Sequence, residues 1–294
     1  MTGFAGPAEL RQALEGQGHL VDEGLATALN LAVDLDMPLL LEGEPGVGKT
    51  GAATALARAL GARLLRVQCY EGLGPEQALY EWNYQRQLLA IRLAESRADR
   101  LTDDRLFTEE FLEERPLLAA LRHQPVEGGP GMPLLLIDEI DRADDEFEAL
   151  LLEFLGERSI SIPELGTISA AGPMVVVLTS NRSRELHDAL RRRCLYHWIE
   201  FPPVEEVARI LRHKVAGADE AFVAAAAETV RGVRALELEK PPGMAEAIDW
   251  VRVMRALKID AVTPEGLARS VGALAKTPDD RAAVLAAAAG GGPT

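Results

Sequence analysis

Gly43-Glu44-Pro45-Gly46-Val47-Gly48-Lys49-Thr50 fits GxxxxGK[ST] at every fixed position. Glycines there let the backbone curl until its N–H groups converge on phosphate oxygens. Lys49 becomes the cation for the β- and γ-phosphates and Thr50 a hydroxyl ligand for Mg²⁺. Gly51 closes the run of candidate nucleotide-binding residues, which comprises Gly43, Glu44, Pro45, Gly46, Val47, Gly48, Lys49 and Thr50. A second string, Leu134-Leu135-Leu136-Ile137-Asp138-Glu139, runs from four apolar residues into two acids. Carboxylates at the end of a buried strand are costly unless they have partners. As a Walker B pair, Asp138 would hold Mg²⁺ through its water shell and Glu139 would polarise the attacking water as general base. The alternative is a strand running into an acidic helix cap. Of the acids that follow, Asp144 reads as a helix N-cap and Asp141 stays open between solvent and magnesium. A third apolar run, Met174 to Leu178, ends in Thr179-Ser180-Asn181. Carboxyl ends of strands line the ligand crevice of an α/β sheet, so Asn181 could sit beside the γ-phosphate and help position the water. Read alone, it could equally be a turn residue.

Arg191-Arg192-Arg193 concentrates three cations in an acidic chain, which suggests an anion nearby or else a solvated basic patch. An arginine finger donated across a subunit joint would stabilise charge on the transferring phosphoryl group. Successive helical side chains splay by about 100°, so only one or two of the three can reach a single joint.

These residues need a scaffold. Leu39–Leu41, Leu64–Gln68, Leu134–Asp138, Met174–Thr179 and Tyr196–Ile199 are short apolar runs separated by helix-like stretches. They read as buried parallel strands of a doubly wound α/β sheet. After Pro202-Pro203 such runs stop. Val204, Val207, Ile210, Leu211 and Val215 mark one helix face, and Thr263-Pro264-Glu265 and Thr277-Pro278-Asp279-Asp280 are N-cap signatures. The expected division is a nucleotide-binding core over residues 1–201, with a mostly helical insertion at about 72–124, and a helical lid over 202–294 ending in a frayed Gly-rich tail.

Composition narrows the partners. The 294 residues carry a formal net charge of −15, a field that repels nucleic-acid phosphates and anionic lipid. Two separated cysteines, Cys69 and Cys194, suggest free thiols in a reducing compartment. The N-terminus lacks the pattern of a secretory signal, and no apolar stretch approaches the roughly 20 residues of a membrane helix, so a cytoplasmic protein without stable membrane insertion is expected.

The order P-loop, acid pair, Asn181, arginine cluster and helical tail is similar to AAA+ ATPases. In finer wording, Leu41 to Thr50, Arg66-Val67-Gln68-Cys69 and Leu151 to Arg158 followed by Ser159-Ile160-Ser161-Ile162-Pro163 resemble the MoxR family. Cys69-Tyr70-Glu71-Gly72, Tyr80 to Gln85, Leu186 to Cys194 and Lys240-Pro241-Pro242-Gly243 resemble its CoxD-like branch. The resemblance runs from about Leu20 to Trp250. It implies an αβα core with strand order 5-1-4-3-2, a helical lid, ATP and Mg²⁺ as cofactors, and a homo-oligomeric, usually hexameric ring. It also implies a chaperone-like motor that matures a metalloenzyme client of the molybdenum hydroxylase or carbon monoxide dehydrogenase type, often with a von Willebrand A-domain partner. Carried over by position, Arg193 is the first choice for the finger and Arg192 the second. One departure stands out: Ala245 occupies the place where the family often has a lid arginine that senses nucleotide.

The expected mechanism has ATP between one subunit's core and Arg193 of its neighbour, with hydrolysis driving a hinge-type change of lid against core. Trp82–Tyr84 and Ile160–Ile168 could touch the client, although Trp82 and Tyr84 could equally pack the core. Two rivals are an ATP-gated binding switch with negligible hydrolysis, disfavoured by the complete acid pair, and a nucleic-acid motor, disfavoured by the charge.

Overall fold

The computed structural model describes residues 4–96, 106–124, 131–163, 165–215 and 217–290. Residues 97–105 of the expected insertion and 291–294 of the expected tail lie outside them. In chain order the elements are α1 (Pro7–Gly16), α2 (Glu23–Asp34), β1 (Leu39–Gly43), α3 (Lys49–Ala59), β2 (Arg63–Gln68), α4 (Pro75–Leu79), β3 (Tyr80–Trp82) and α5 (Tyr84–Ser96). Then follow β4 (Leu112–Glu114), α6 (Pro116–Leu121), β5 (Pro133–Asp138), α7 (Asp145–Glu157), β6 (Ser159–Ile162), β7 (Gly166–Ser169), β8 (Val175–Ser180), α8 (Asp188–Arg191) and β9 (Leu195–Ile199). The last five are α9 (Val204–Lys214), α10 (Glu220–Arg234), α11 (Met244–Ala256), α12 (Pro264–Ser270) and α13 (Pro278–Ala289).

The chain divides into two compact units, one of Met1–Glu42 with Thr50–Trp198, the other of Gly43–Lys49 with Ile199–Thr294. The central sheet has the order β2-β5-β8-β1-β9. Counting its five strands alone along the chain, this is the 5-1-4-3-2 order that the family resemblance implies. β2 and β5, β5 and β8, and β8 and β1 pair in parallel. Every residue of β5 and β8 is buried, as strands covered on both faces require, and this is why they read as unbroken apolar runs. Leu135 and Ile137 of β5, Leu117 and Leu118 of α6, and Phe147, Leu151 and Phe154 of α7 share one core.

The stretch expected to be mostly helical also holds an antiparallel ribbon, with Tyr80 opposite Glu114 and Trp82 opposite Leu112. Strands of three residues are too short to show a period. Trp82 is buried, edge-on to Tyr80 and Phe107, whereas Tyr84 is 62% exposed. The two aromatics therefore split between core and surface. Likewise β6 and β7 form a hairpin with Ile160 and Ile162 buried and the facing strand largely exposed.

In the second unit Val207, Leu211 and Val215 are buried, with Val204 and Ile210 packed against them, as the helical period predicts. Thr263 caps α12 by accepting from the Gly266 N–H at 3.1 Å, and Thr277 caps α13 by accepting from the Asp280 N–H at 3.1 Å. Trp250 is fully buried at the centre and donates its indole N–H to Ser270 Oγ at 2.8 Å, satisfying the one polar atom of that side chain.

Candidate functional site: a phosphate-binding loop and an acid cluster

The loop follows β1 and opens α3. Gly46 and Gly48 have φ of +80° and +104°, left-handed values that glycine adopts without a Cβ clash. At Gly43 a Cβ would fall 2.5 Å from the Ile199 carbonyl oxygen, so glycine is needed for close backbone approach. Lys49 is buried, and its ammonium donates to the carbonyls of Gly43 and Glu44, both at 2.8 Å. Gly51, in the first turn of α3, lies against His19; a Cβ there would come within 3.0 Å of the imidazole.

Thr50 begins the acid cluster. Its hydroxyl donates to Asp138 Oδ1 at 2.8 Å. Thr179, at the end of β8, donates to the same oxygen at 2.5 Å and accepts from the Glu139 N–H at 2.9 Å. Arg66 on β2 reaches the other oxygen, Oδ2, at 2.5 Å. Asp138 is thus buried but fully partnered, which removes the cost of an unsatisfied carboxylate. Glu139 stands at φ +57°, ψ +49°, a left-handed conformation costing a non-glycine residue about 1–3 kcal/mol that the surroundings must hold in place. Its carboxylate meets Arg142 at 3.2 Å.

Asp141 is held out of solvent. It is buried, and its carboxylate accepts from the Asn181 N–H at 3.1 Å, the Ser183 N–H at 2.9 Å and the Ser183 hydroxyl at 2.6 Å. Burial by itself would raise its pKa. The bonds from Ser183, then Asn181, outweigh burial and hold the carboxyl below its ordinary value. Asp141 therefore brackets the main chain at Asn181 and Ser183. Asp144 caps α7, yet its side chain accepts from the Gly72 N–H at 3.0 Å instead of from its own helix.

The arginine cluster occupies α8 and the residues after it. Arg191 lies over the Tyr196 ring, 5.9 Å from its centroid. Arg192 is exposed. Arg193 folds back to donate to the Ala189 carbonyl at 3.0 Å, with its guanidinium against Gly156, where a Cβ would stand 3.2 Å from Nε. Arg192 and Arg193 are on the surface and touch neither Asp138 nor Glu139.

The sequence assigns no role to Arg66 or Thr179 and does not reveal that Asp141 braces the Asn181 main chain. The available signals were an arginine between Leu65 and Val67 in a strand and a hydroxyl two residues before Asn181.

A carboxylate and a hydroxyl meeting at the end of a P-loop helix offer oxygen donors to a hard divalent cation. Among the described residues no group of three or more His, Cys, Asp or Glu could hold a metal. Thr50 and Asp138 suffice for Mg²⁺, which is bound largely by phosphate and water oxygens, so the residues fit the group.

The fold and this arrangement define an AAA+ P-loop NTPase. Residues 38–194, more than half of the chain, match the AAA domain of the dynein-related subfamily, and the chain belongs to that family. It is similar to the chaperone MoxR1 of Mycobacterium tuberculosis, 29% identical over 210 residues that cover 69% of this chain and 45% of that protein. The chain thus spans less than half the length of that curated relative. This finding agrees with the MoxR resemblance at family level and leaves the CoxD-like branch undistinguished. Among solved structures it resembles the Holliday junction branch migration motor RuvB of Thermotoga maritima, with TM-score 0.51, 20% identity and coverage of 85% of this chain and 68% of that one. A point mutant of the same motor gives TM-score 0.53, 21% identity and coverage of 89% and 72%. At these identities the likeness concerns the fold. No helix among the described residues is long and apolar enough to cross a membrane.

Proposed function

We propose that the chain is an ATP-hydrolysing chaperone or motor of the MoxR type. The observation that carries this reading is the hydrogen-bonded path from Thr50 through Asp138 and Thr179 to Glu139, set directly after a complete P-loop. Loop N–H groups and Lys49 bind the β- and γ-phosphates. When bound, Mg²⁺ at Thr50 and Asp138 supplies neutralisation of phosphate charge. Asn181, fixed by Asp141, orients a water, and Glu139 accepts its proton as the water oxygen bonds to the γ-phosphorus and the bond to ADP breaks. Arg193, or Arg192 after it, completes the site from a neighbouring subunit of a homo-oligomeric, hexameric ring. Residues 1–201 act as the nucleotide-binding core, with the insertion at about 72–124, and 202–294 as the lid.

The client we infer is a metal-containing oxidoreductase of the molybdenum hydroxylase or carbon monoxide dehydrogenase type, met in the cytoplasm together with a von Willebrand A-domain partner. The support is the CoxD-like wording at Tyr80 to Gln85 and Lys240 to Gly243. Co-expression of such an oxidoreductase with this chain and with its Lys49→Ala form tests it; equal cofactor content in the purified oxidoreductase overturns this client.

Phosphate release by the purified protein tests the activity. Lys49→Ala should bind no fluorescent ADP analogue. Glu139→Gln should bind it and release phosphate about 10²–10⁴-fold more slowly than wild type, the usual contribution of a general base. Wild type no faster than Glu139→Gln would favour an ATP-gated switch. A rate that rises on adding DNA or RNA would favour a nucleic-acid motor.

A further inference from the structure

The lid position that often carries a nucleotide-sensing arginine holds Ala245, which has no charge to offer. Another cation meets the phosphate-binding loop. We propose that Arg234 is a positioning residue for that loop and acts through Glu44; as a statement about nucleotide binding, this rests on the ATPase reading above.

Arg234 is the last residue of α10, and its side chain is only 14% exposed. Three groups hold its guanidinium. Nη2 donates to the Glu44 carboxylate. Nη1 donates to the Pro242 carbonyl at 2.6 Å. The face lies over the Phe201 ring, with Cζ 3.8 Å from the centroid. A planar fork bound on two sides and stacked on a third is fixed in direction, which a flexible ammonium would not be. Glu44, by contrast, is 54% exposed and would swing freely without this partner.

A second observation ties the same segment to the loop. The Met244 N–H, at the start of α11, donates to the Gly46 carbonyl at 2.9 Å. A Cβ on Gly243 would come 2.6 Å from Gly46 Cα, and one on Gly46 would come 2.8 Å from Gly243 Cα. Two glycines thus let two backbones touch where no side chain fits. Glu246 keeps Gly243 in place by accepting its N–H at 3.1 Å. The loop is held at Glu44 by charge and at Gly46 by backbone contact, the first through Arg234 and the second through the turn whose Pro242 carbonyl Arg234 also binds. Loop glycines are costly to order, and amides already held in place bind an anion without that cost.

Hydrogen–deuterium exchange of a peptide covering Gly43–Thr50, in protein without nucleotide, tests this directly. The variants are Arg234→Ala, Arg234→Lys, Glu44→Ala and the Arg234→Ala/Glu44→Ala pair. Arg234→Ala and Glu44→Ala should each raise loop exchange severalfold, and the pair should exchange no faster than Arg234→Ala alone. Arg234→Lys, lacking the fork, should restore protection only in part. Affinity for a fluorescent ADP analogue should fall in the same order, by on the order of tenfold for Arg234→Ala. Unchanged loop exchange in Arg234→Ala overturns the proposal. So does an affinity loss from Arg234→Ala that persists undiminished in the Glu44→Ala background, which would mean that the arginine acts through the Pro242 turn or on the nucleotide itself and not through Glu44. Should Arg234→Ala unfold the helices, Glu44→Ala leaves them intact, and unchanged exchange there overturns the proposal equally. Wild-type protein that binds no analogue would sink the ATPase reading, while the exchange comparison would still decide the role of Arg234 in holding the loop.

Discussion

Asp138 accepts hydrogen bonds from Thr50, Thr179 and Arg66, which stand on three different elements. A carboxylate so held cannot drift, and Glu139, the next residue, inherits that fixed origin together with a strained backbone. Asp141 does the same for Asn181 across 40 residues of sequence. Asp141→Asn would turn its NH₂ group toward either the Asn181 N–H or the Ser183 N–H, costing about 1–3 kcal/mol for the unmet donor, and should slow phosphate release without loss of nucleotide binding. The pH dependence has a definite sign. A carboxyl held below its ordinary value of 3.8 stabilises the fold above that pH and loses the contribution as pH falls through its folded value. The melting-temperature gap between wild type and Asp141→Asn should be flat from pH 5 to 8 and shrink below about 3.8; a gap that shrinks already between pH 8 and 5 would assign it to another group.

At the scale of elements, burial decides chemistry as well as stability. Cys69 follows β2, and burial, then the charges of Asp138, Asp141 and Glu139, push its thiol up from 9.0 to about 12. Burial alone does the same for Cys194. Neither should react with a thiol reagent at pH 8 in the native protein, and both should react in denaturant; rapid native labelling would contradict the packing around β2 or α8. These raised values stabilise the fold below about pH 9, and that contribution is lost as pH rises from 9 toward 12. The meeting of α11 with the loop is a second packing constraint. Gly243→Ala forces a methyl group onto the Gly46 backbone and should cost about 1–3 kcal/mol, as overpacking does, read as a lowered melting temperature. An unchanged melt would show that this approach relaxes at no cost.

At the scale of the whole molecule, the proposed arginine finger implies assembly. Arg192 and Arg193 are exposed and apart from Asp138 and Glu139, and the finger role proposed for them is one played toward a second copy. Arg193→Ala should bind nucleotide normally and lose turnover by about 10³–10⁵-fold. Mixed with Glu139→Gln, it should regain part of that activity in joints that combine one intact base with one intact arginine. Mixtures as inactive as either parent, in rings shown by mass to contain both, would remove the finger assignment.

The five strands, the P-loop and the acid pair were legible in the linear chain, because each is a local pattern: an apolar run of strand length, a glycine spacing, a charge where burial should end. The caps at Thr263 and Thr277 were legible for the same reason. The strand order came only through family resemblance, since period and burial are silent on which strand lies beside which. The three-residue ribbon was missed because it is too short to show a period. Arg66, Thr179 and Arg234 escaped, and Asp141 stayed undecided, because a polar side chain acquires meaning from its partner. Arg66 and Asp138 are 72 positions apart and Arg234 and Glu44 are 190 apart. Composition and spacing settled that the chain would build an α/β sheet and carry a phosphate loop directly after its first strand. Which groups hold that loop and those acids was left to the tertiary structure, because strand register and helix packing, and not the order of residues, bring their partners within a hydrogen bond.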